Sequence, residues 1–234
     1  MDTLIARVVF FSVIGFGALI ILKRPAVAMG ILLCTYVLEQ WVQTQDTFFV
    51  ANSSFTNIAV GLLIVMAVII RAFQREQVFK PYPPAGFAVL GILFYATITA
   101  IWSPYDDVGG RLYGQYRYFI AFGLLMPLVV SKFEDLHATA MTLLFLGTSL
   151  VTLMITTSDW DGRGLALAGN VAYGAGQVRE IGSPLAVAGL AGSVAMIVVL
   201  LNFRGIGRVW QIARWGVVIM AFYVALKSNS RGQV

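Results

Sequence analysis

Long apolar runs separated by short polar breaks dominate the chain from its first residues to position 227. A helix rises about 1.5 Å per residue, and roughly 20 predominantly apolar residues carry it across the hydrocarbon layer. Eight runs reach or approach that length: about 4–22, 26–42, 56–72, 84–102, 116–131, 138–156, 184–202 and 211–227. The second is the weakest in apolarity, because Glu39 and Gln40 interrupt it, and the fifth is short. The pattern predicts an all-α fold, a polytopic transmembrane helical bundle of about eight spans, as a single transmembrane domain over 1–234.

Composition agrees with the pattern. Of 234 residues, 59% are hydrophobic and 12% charged, where a soluble domain carries about 25% charged residues. The first run, Ile5 to Leu22, lacks a basic leading region and a small-residue cleavage site, so it reads as a retained span and not as a cleaved signal peptide. Cys34 is the only cysteine, which excludes an internal disulfide or a cysteine-based metal site and leaves a small packing residue.

The net charge of +5 would suggest nucleic acid in a soluble protein. Here the basic residues fall in short breaks between apolar runs, where they report orientation. Lys23, Arg24, Arg71, Arg75, Lys80, Lys132, Arg204, Arg208 and Arg214 occupy alternate connections, with only Glu76, Glu134 and Asp135 as acids. The positive-inside tendency places those connections in the cytoplasm and both chain ends outside. The intervening breaks carry Asp46, Asp106, Asp107, Asp159, Asp161 and Glu180.

The third outward connection, Thr157 to Ser183, is the longest and most polar. Connections of that length are more often functional than merely connective. It holds Arg163, Asn170 and Arg179 among glycines, and by the same sidedness the polar segment Lys227-Ser228-Asn229-Ser230-Arg231-Gly232 faces the same way. Arg163 and Arg231 each sit beside a glycine near an apolar run. Spacing alone leaves two readings: both snorkel to lipid headgroups, or both hold a phosphate, for which the guanidinium fork is suited.

Other candidates divide the same way. Asp159, Asp161 and Glu180 read as ion-pair partners of Arg163 or Arg179, or as a base. Tyr113, Tyr116, Tyr118 and Phe119 read as an interfacial aromatic belt, or with Trp102 as a sugar-stacking surface. His137, the only histidine, falls on the basic face, away from the arginines. No P-loop, dinucleotide fingerprint, zinc spacing or serine-hydrolase elbow appears in register with a suitable element.

Several short motifs, taken in order, resemble the O-antigen ligase and O-antigen polymerase superfamily of membrane glycosyltransferases. These are Lys23-Arg24-Pro25 at a hairpin turn, Trp102-Ser103-Pro104 at an outward helix end, Arg163-Gly164 to Gly169-Asn170, and Ser230-Arg231-Gly232. The hairpin start is most similar to the O-glycosylation-ligase branch. The resemblance implies a GT-C-like fold in a bacterial inner membrane, with a site facing the periplasm. It implies transfer of a glycan from an undecaprenyl-diphosphate carrier to an acceptor: lipid A core, another glycan or a protein hydroxyl. Arg231, Arg163, Asn170 and Ser230 are the substrate-binding residues it implies, with no metal and no cofactor. The family commonly reads Asn-Pro-Asn where this chain has Asn170-Val171-Ala172. The resemblance also implies that the chain is the N-terminal portion of a longer protein whose catalytic base lies beyond Val234.

Two rivals stand beside this expectation. A polytopic transporter or flippase subunit for lipid-linked sugars would show repeats or intramembrane charges; no repeat is evident, and the interiors of the runs are nearly free of ionisable residues. A non-catalytic scaffold would use its arginines for lipid alone. The partners expected are a lipid-linked glycan, membrane lipids and a glycan acceptor, with no nucleic acid.

Overall fold

The computed structural model describes residues 2–74, 91, 94–95, 98, 125, 128–158, 160–161, 164–166, 181–182, 184–200 and 208–227. Six of the predicted spans are helices: α1 (Asp2–Ile21), α2 (Val27–Gln45), α4 (Ser54–Phe73), α5 (Phe133–Thr157), α6 (Pro184–Leu200) and α7 (Arg208–Lys227). A short α3 (Thr47–Ala51) links α2 to α4. The runs at 84–102 and 116–131 fall mostly outside the described residues, although the described positions within them are helical apart from Val130 and Ser131. Among the described residues three helices are long and apolar enough to cross a membrane, at Thr3–Ile21, Ser54–Phe73 and Phe133–Thr157. Ala186–Leu200 and Arg214–Val224 are shorter apolar stretches.

The weakest run in the sequence is the axis of the bundle. Thirteen of the nineteen residues of α2 are buried, and α1, α4, α5 and α6 all pack against it. The helix runs through Glu39 and Gln40 unbroken to Gln45. Gln40 is thereby buried and Glu39 half-buried, where hydrocarbon would penalise both. The surrounding helices show the reverse pattern: Leu4, Val8, Phe11, Phe16 and Leu19 on α1, and Ile58, Leu62, Val65 and Ile69 on α4, are exposed. Patches of that size are unusual on soluble monomers and ordinary on a surface facing lipid.

The helices approach through small residues. A Cβ on Gly30 of α2 would lie 2.5 Å from Thr142 Cβ and 2.8 Å from the Thr139 carbonyl oxygen of α5. The Thr139 hydroxyl crosses the same seam to the Ala26 carbonyl at 3.0 Å. Gly147 of α5 admits Val194 of α6 in the same manner. With no water to expel between lipid-facing helices, such close backbone approach supplies the dispersion contacts that hold them together.

One end of the bundle carries Lys23, Arg24, Arg71 and Lys132. Arg71 is not a loop residue as the pattern of breaks suggested: it lies in the last turn of α4, 5% exposed. Its guanidinium donates to the Val129 carbonyl at 3.3 and 3.2 Å and pairs with Asp135. Asp135 also accepts from the backbone N–H groups of Ser131 and Lys132, both at 3.1 Å. This capping starts α5 at Phe133, five residues before the apolar run predicted at 138.

Gly30→Ala is expected to lower stability by about 2 kcal/mol through overpacking, despite the better helix propensity of alanine. Gly61→Ala, where a Cβ meets nothing within 4 Å, is expected to be neutral or slightly stabilising. Apparent melting temperatures in detergent check the pair, and equal effects would remove the α2–α5 seam from the account.

Candidate functional site

The opposite end of the bundle gathers the polar termini of α2, α5 and α7. The Trp41 indole N–H, on a residue 1% exposed, donates to the Thr157 hydroxyl at 2.9 Å. Thr44 and Ser158 hydroxyls meet at 3.0 Å, and the Gln45 amide donates to the Thr157 carbonyl at 2.9 Å. Helix ends leave carbonyls without partners, and here side chains of α2 and the following segment supply them. The Trp160 indole does the same for the Met154 carbonyl, at 3.1 Å.

Beyond Ser158 the long connection contains a small antiparallel ribbon that the apolar pattern did not predict. Its strands are β1 (Trp160–Asp161), β2 (Gly164–Ala166) and β3 (Ile181–Gly182), in the order β1-β2-β3. Asp161 pairs with Gly164, and Ala166 with Ile181. Arg163 therefore belongs to the segment bracketed by the first pair, and Asn170 to the segment bracketed by the second. Arg163, Asn170, Ser230 and Arg231 themselves lie outside the described residues. So do Asp159, Arg179, Glu180, Trp102 and the Tyr113–Phe119 cluster.

What the described residues do fix is where those segments start. Lys227, the last residue of α7, holds its ammonium 5.2 Å from the Trp160 ring centre and 5.9 Å from that of Tyr223. Cation–π attraction of this kind contributes about 0.5–2 kcal/mol. Tyr223 and Lys227 are four apart on one helix face, a spacing legible in the sequence; the role of Trp160 was not. His137 is exposed near the start of α5, at the opposite end. Cys34 is fully buried in α2, in the packing role expected of it.

Two further polar sites flank α2 at this end. Arg7 of α1 reaches the turn after α2 and donates to Asp46 at 2.5 and 3.3 Å. The Asp46 carboxylate also caps α3 by accepting from the Phe48 N–H at 2.9 Å. The Arg7 hydrogen bond holds the Asp46 carboxyl below the usual carboxylate range, against the opposing effect of burial and with help from the Phe48 N–H. Phe10, Phe49 and Phe55 stack beside it, the first pair at 5.1 Å. Glu39 accepts from Gln43 at 3.3 Å and from Asn57 of α4 at 3.1 Å, which places a carboxylate between α2 and α4. Among the described residues no cluster of His, Cys, Asp or Glu could hold a metal ion.

Comparison with family models, curated proteins and solved structures finds no match to this chain.

A carboxyl whose folded pKa is depressed adds stability above its unfolded value, about 3.9, and loses it as pH falls through the folded value. Asp46→Asn is accordingly expected to cost about 1 kcal/mol at pH 7 and to flatten the decline in melting temperature below about pH 4. An acid profile in the variant identical to that of the wild type would exclude the Arg7–Asp46 pair as its source.

Proposed function

We propose that the chain is the membrane domain of an O-antigen-ligase-like glycosyltransferase in a bacterial inner membrane. It takes a glycan from an undecaprenyl-diphosphate carrier at the end bearing the ribbon, on the periplasmic side. The observation that carries this reading is the seat of Lys227 on Trp160. Arg163 follows Trp160 by three residues and Arg231 follows Lys227 by four. At about 3.3–3.6 Å of reach per residue, two guanidinium groups starting from adjacent anchors can meet on one diphosphate.

The chemistry fits such an arrangement. When the glycosidic bond breaks, negative charge grows on the departing diphosphate. Fixed cations whose contacts strengthen with that charge lower the barrier, where uniform binding would not. Arg163 and Arg231 supply bidentate donors, and Asn170 and Ser230 supply neutral hydrogen bonds to the remaining oxygens. The acceptor is a hydroxyl of lipid A core, a glycan or a protein.

A second reading, a transporter or flippase for lipid-linked sugars, draws on Glu39. A carboxylate held between α2 and α4 by Asn57 and Gln43 is the type of intramembrane group found along substrate and proton paths.

Arg163→Ala and Arg231→Ala are each expected to weaken binding of an undecaprenyl-diphosphate glycan by about 10–100-fold, as loss of a charged hydrogen bond implies. Unchanged binding in both variants would sink the glycosyltransferase reading. Movement of the lipid-linked glycan across reconstituted vesicles, without transfer and with dependence on Glu39, would install the transporter in its place.

A further inference from the structure

A groove of about 510 Å³ follows the seam of α5, α6 and α7 on the flank of the bundle. Its walls include Phe145, Val198 and Val217, and its polar lining is Thr148, Ser149, Thr152 and Arg214. None of these belongs to the site proposed above.

Arg214 opens the apolar stretch Arg214–Val224 of α7, six residues after the helix begins at Arg208. Its guanidinium carbon lies 5.5 Å from the Trp215 ring centre. Among the described residues it has no carboxylate partner. A cation at the edge of hydrocarbon needs a countercharge, and none of the described residues lining this groove is acidic.

Thr148 presents the second unmet demand. Its hydroxyl oxygen is enclosed and has no hydrogen-bond partner. Four hydroxyls on α5 turn back to the preceding helical turn, Thr142 to Ala138 at 2.8 Å, Ser149 to Phe145 at 2.8 Å, Thr152 to Thr148 at 2.8 Å and Thr156 to Thr152 at 2.9 Å, and Thr139 donates across the seam to Ala26. Thr148 does neither where it borders the groove. A buried hydroxyl donor without an acceptor is destabilising, and an acceptor brought by a ligand relieves it.

An anion for Arg214, an acceptor for Thr148 and an alkyl chain for the apolar walls describe one class of molecule. We propose that the α5–α6–α7 groove binds one anionic phospholipid, its phosphate on Arg214 and an acyl chain against Val198 and Val217, with the Thr148 side chain rotating to turn its enclosed hydroxyl into the groove and donate to an ester carbonyl. A soluble anion would leave the walls uncovered. A zwitterionic lipid would bring an ammonium for which the described lining of the groove offers no acid. The inference does not depend on the glycosyltransferase reading, since the groove shares no residue with that site.

Native mass spectrometry of the whole chain, released from mixed phosphatidylglycerol and phosphatidylcholine, tests the proposal. The expected result is one retained phosphatidylglycerol per chain, preferred at least tenfold over phosphatidylcholine. Arg214→Gln should abolish the preference, Thr148→Val should reduce retention about threefold, and Lys23→Gln, which removes a distant cation, should change nothing. Equal retention of the two lipids by the wild type overturns the proposal without recourse to any variant. Wild-type preference in Arg214→Gln overturns it too. Should Arg214→Gln fail to fold, Thr148→Leu, which fills the groove and keeps the cation, decides the matter: loss of the retained lipid supports the proposal and undiminished retention refutes it.

Discussion

A helix bearing Thr35, Glu39, Gln40 and Gln43 cannot face hydrocarbon cheaply, and the arrangement of the other helices follows from that constraint. α2 is enclosed, with Thr35 bonded to its own Ile31 carbonyl and Glu39 to its neighbours. The helices around it keep their apolar side chains for the outer surface. Gly30 and Gly17 allow two of them to approach closely enough to close the shell. The bundle thus inverts the usual soluble arrangement, with its more polar helix at the centre.

Both ends of the shell are closed by charge and hydrogen bonding. At one end Arg71 and Asp135 join α4 to the start of α5, and a buried pair of this type is costly to break because either partner alone is a stranded charge. At the other, Trp41, Thr44 and Gln45 fasten α2 to the end of α5, so the connection that follows leaves from a fixed point. Lys227 brings the end of α7 to that point. The rigid part of the bundle therefore sets the origin of both arginine-bearing segments.

Six helices were legible from apolar runs alone because long apolar stretches between polar breaks have few other solutions, and three of those six are long and apolar enough to cross a membrane. The hierarchy among them was not. Glu39 and Gln40 read as interruptions, although enclosure by neighbouring helices makes them tolerable and gives α2 its central place. Arg71 read as a loop cation because its partner, Asp135, lies sixty-four residues further along the chain (71 to 135). The ribbon after Thr157 escaped notice since strands of two or three residues carry no usable alternation. Of the candidate site, the common origin of its two segments was foreseen by counting spans. The ring of Trp160 that joins them required the fold.

The place of α2 also governs how the protein is made. Only a short turn, with the Val27 N–H on the Arg24 carbonyl at 3.1 Å, separates α2 from the far more apolar α1. The two helices can therefore leave the translocon together as a hairpin, the first supplying the lipid affinity that the second lacks. Its main partner α5 begins at Phe133, eighty-eight residues after Gln45, which ribosomes take about 4–18 s to add. For those seconds the flank of α2 that carries Gly30 and Trp41 waits without the helix it packs against in the finished bundle.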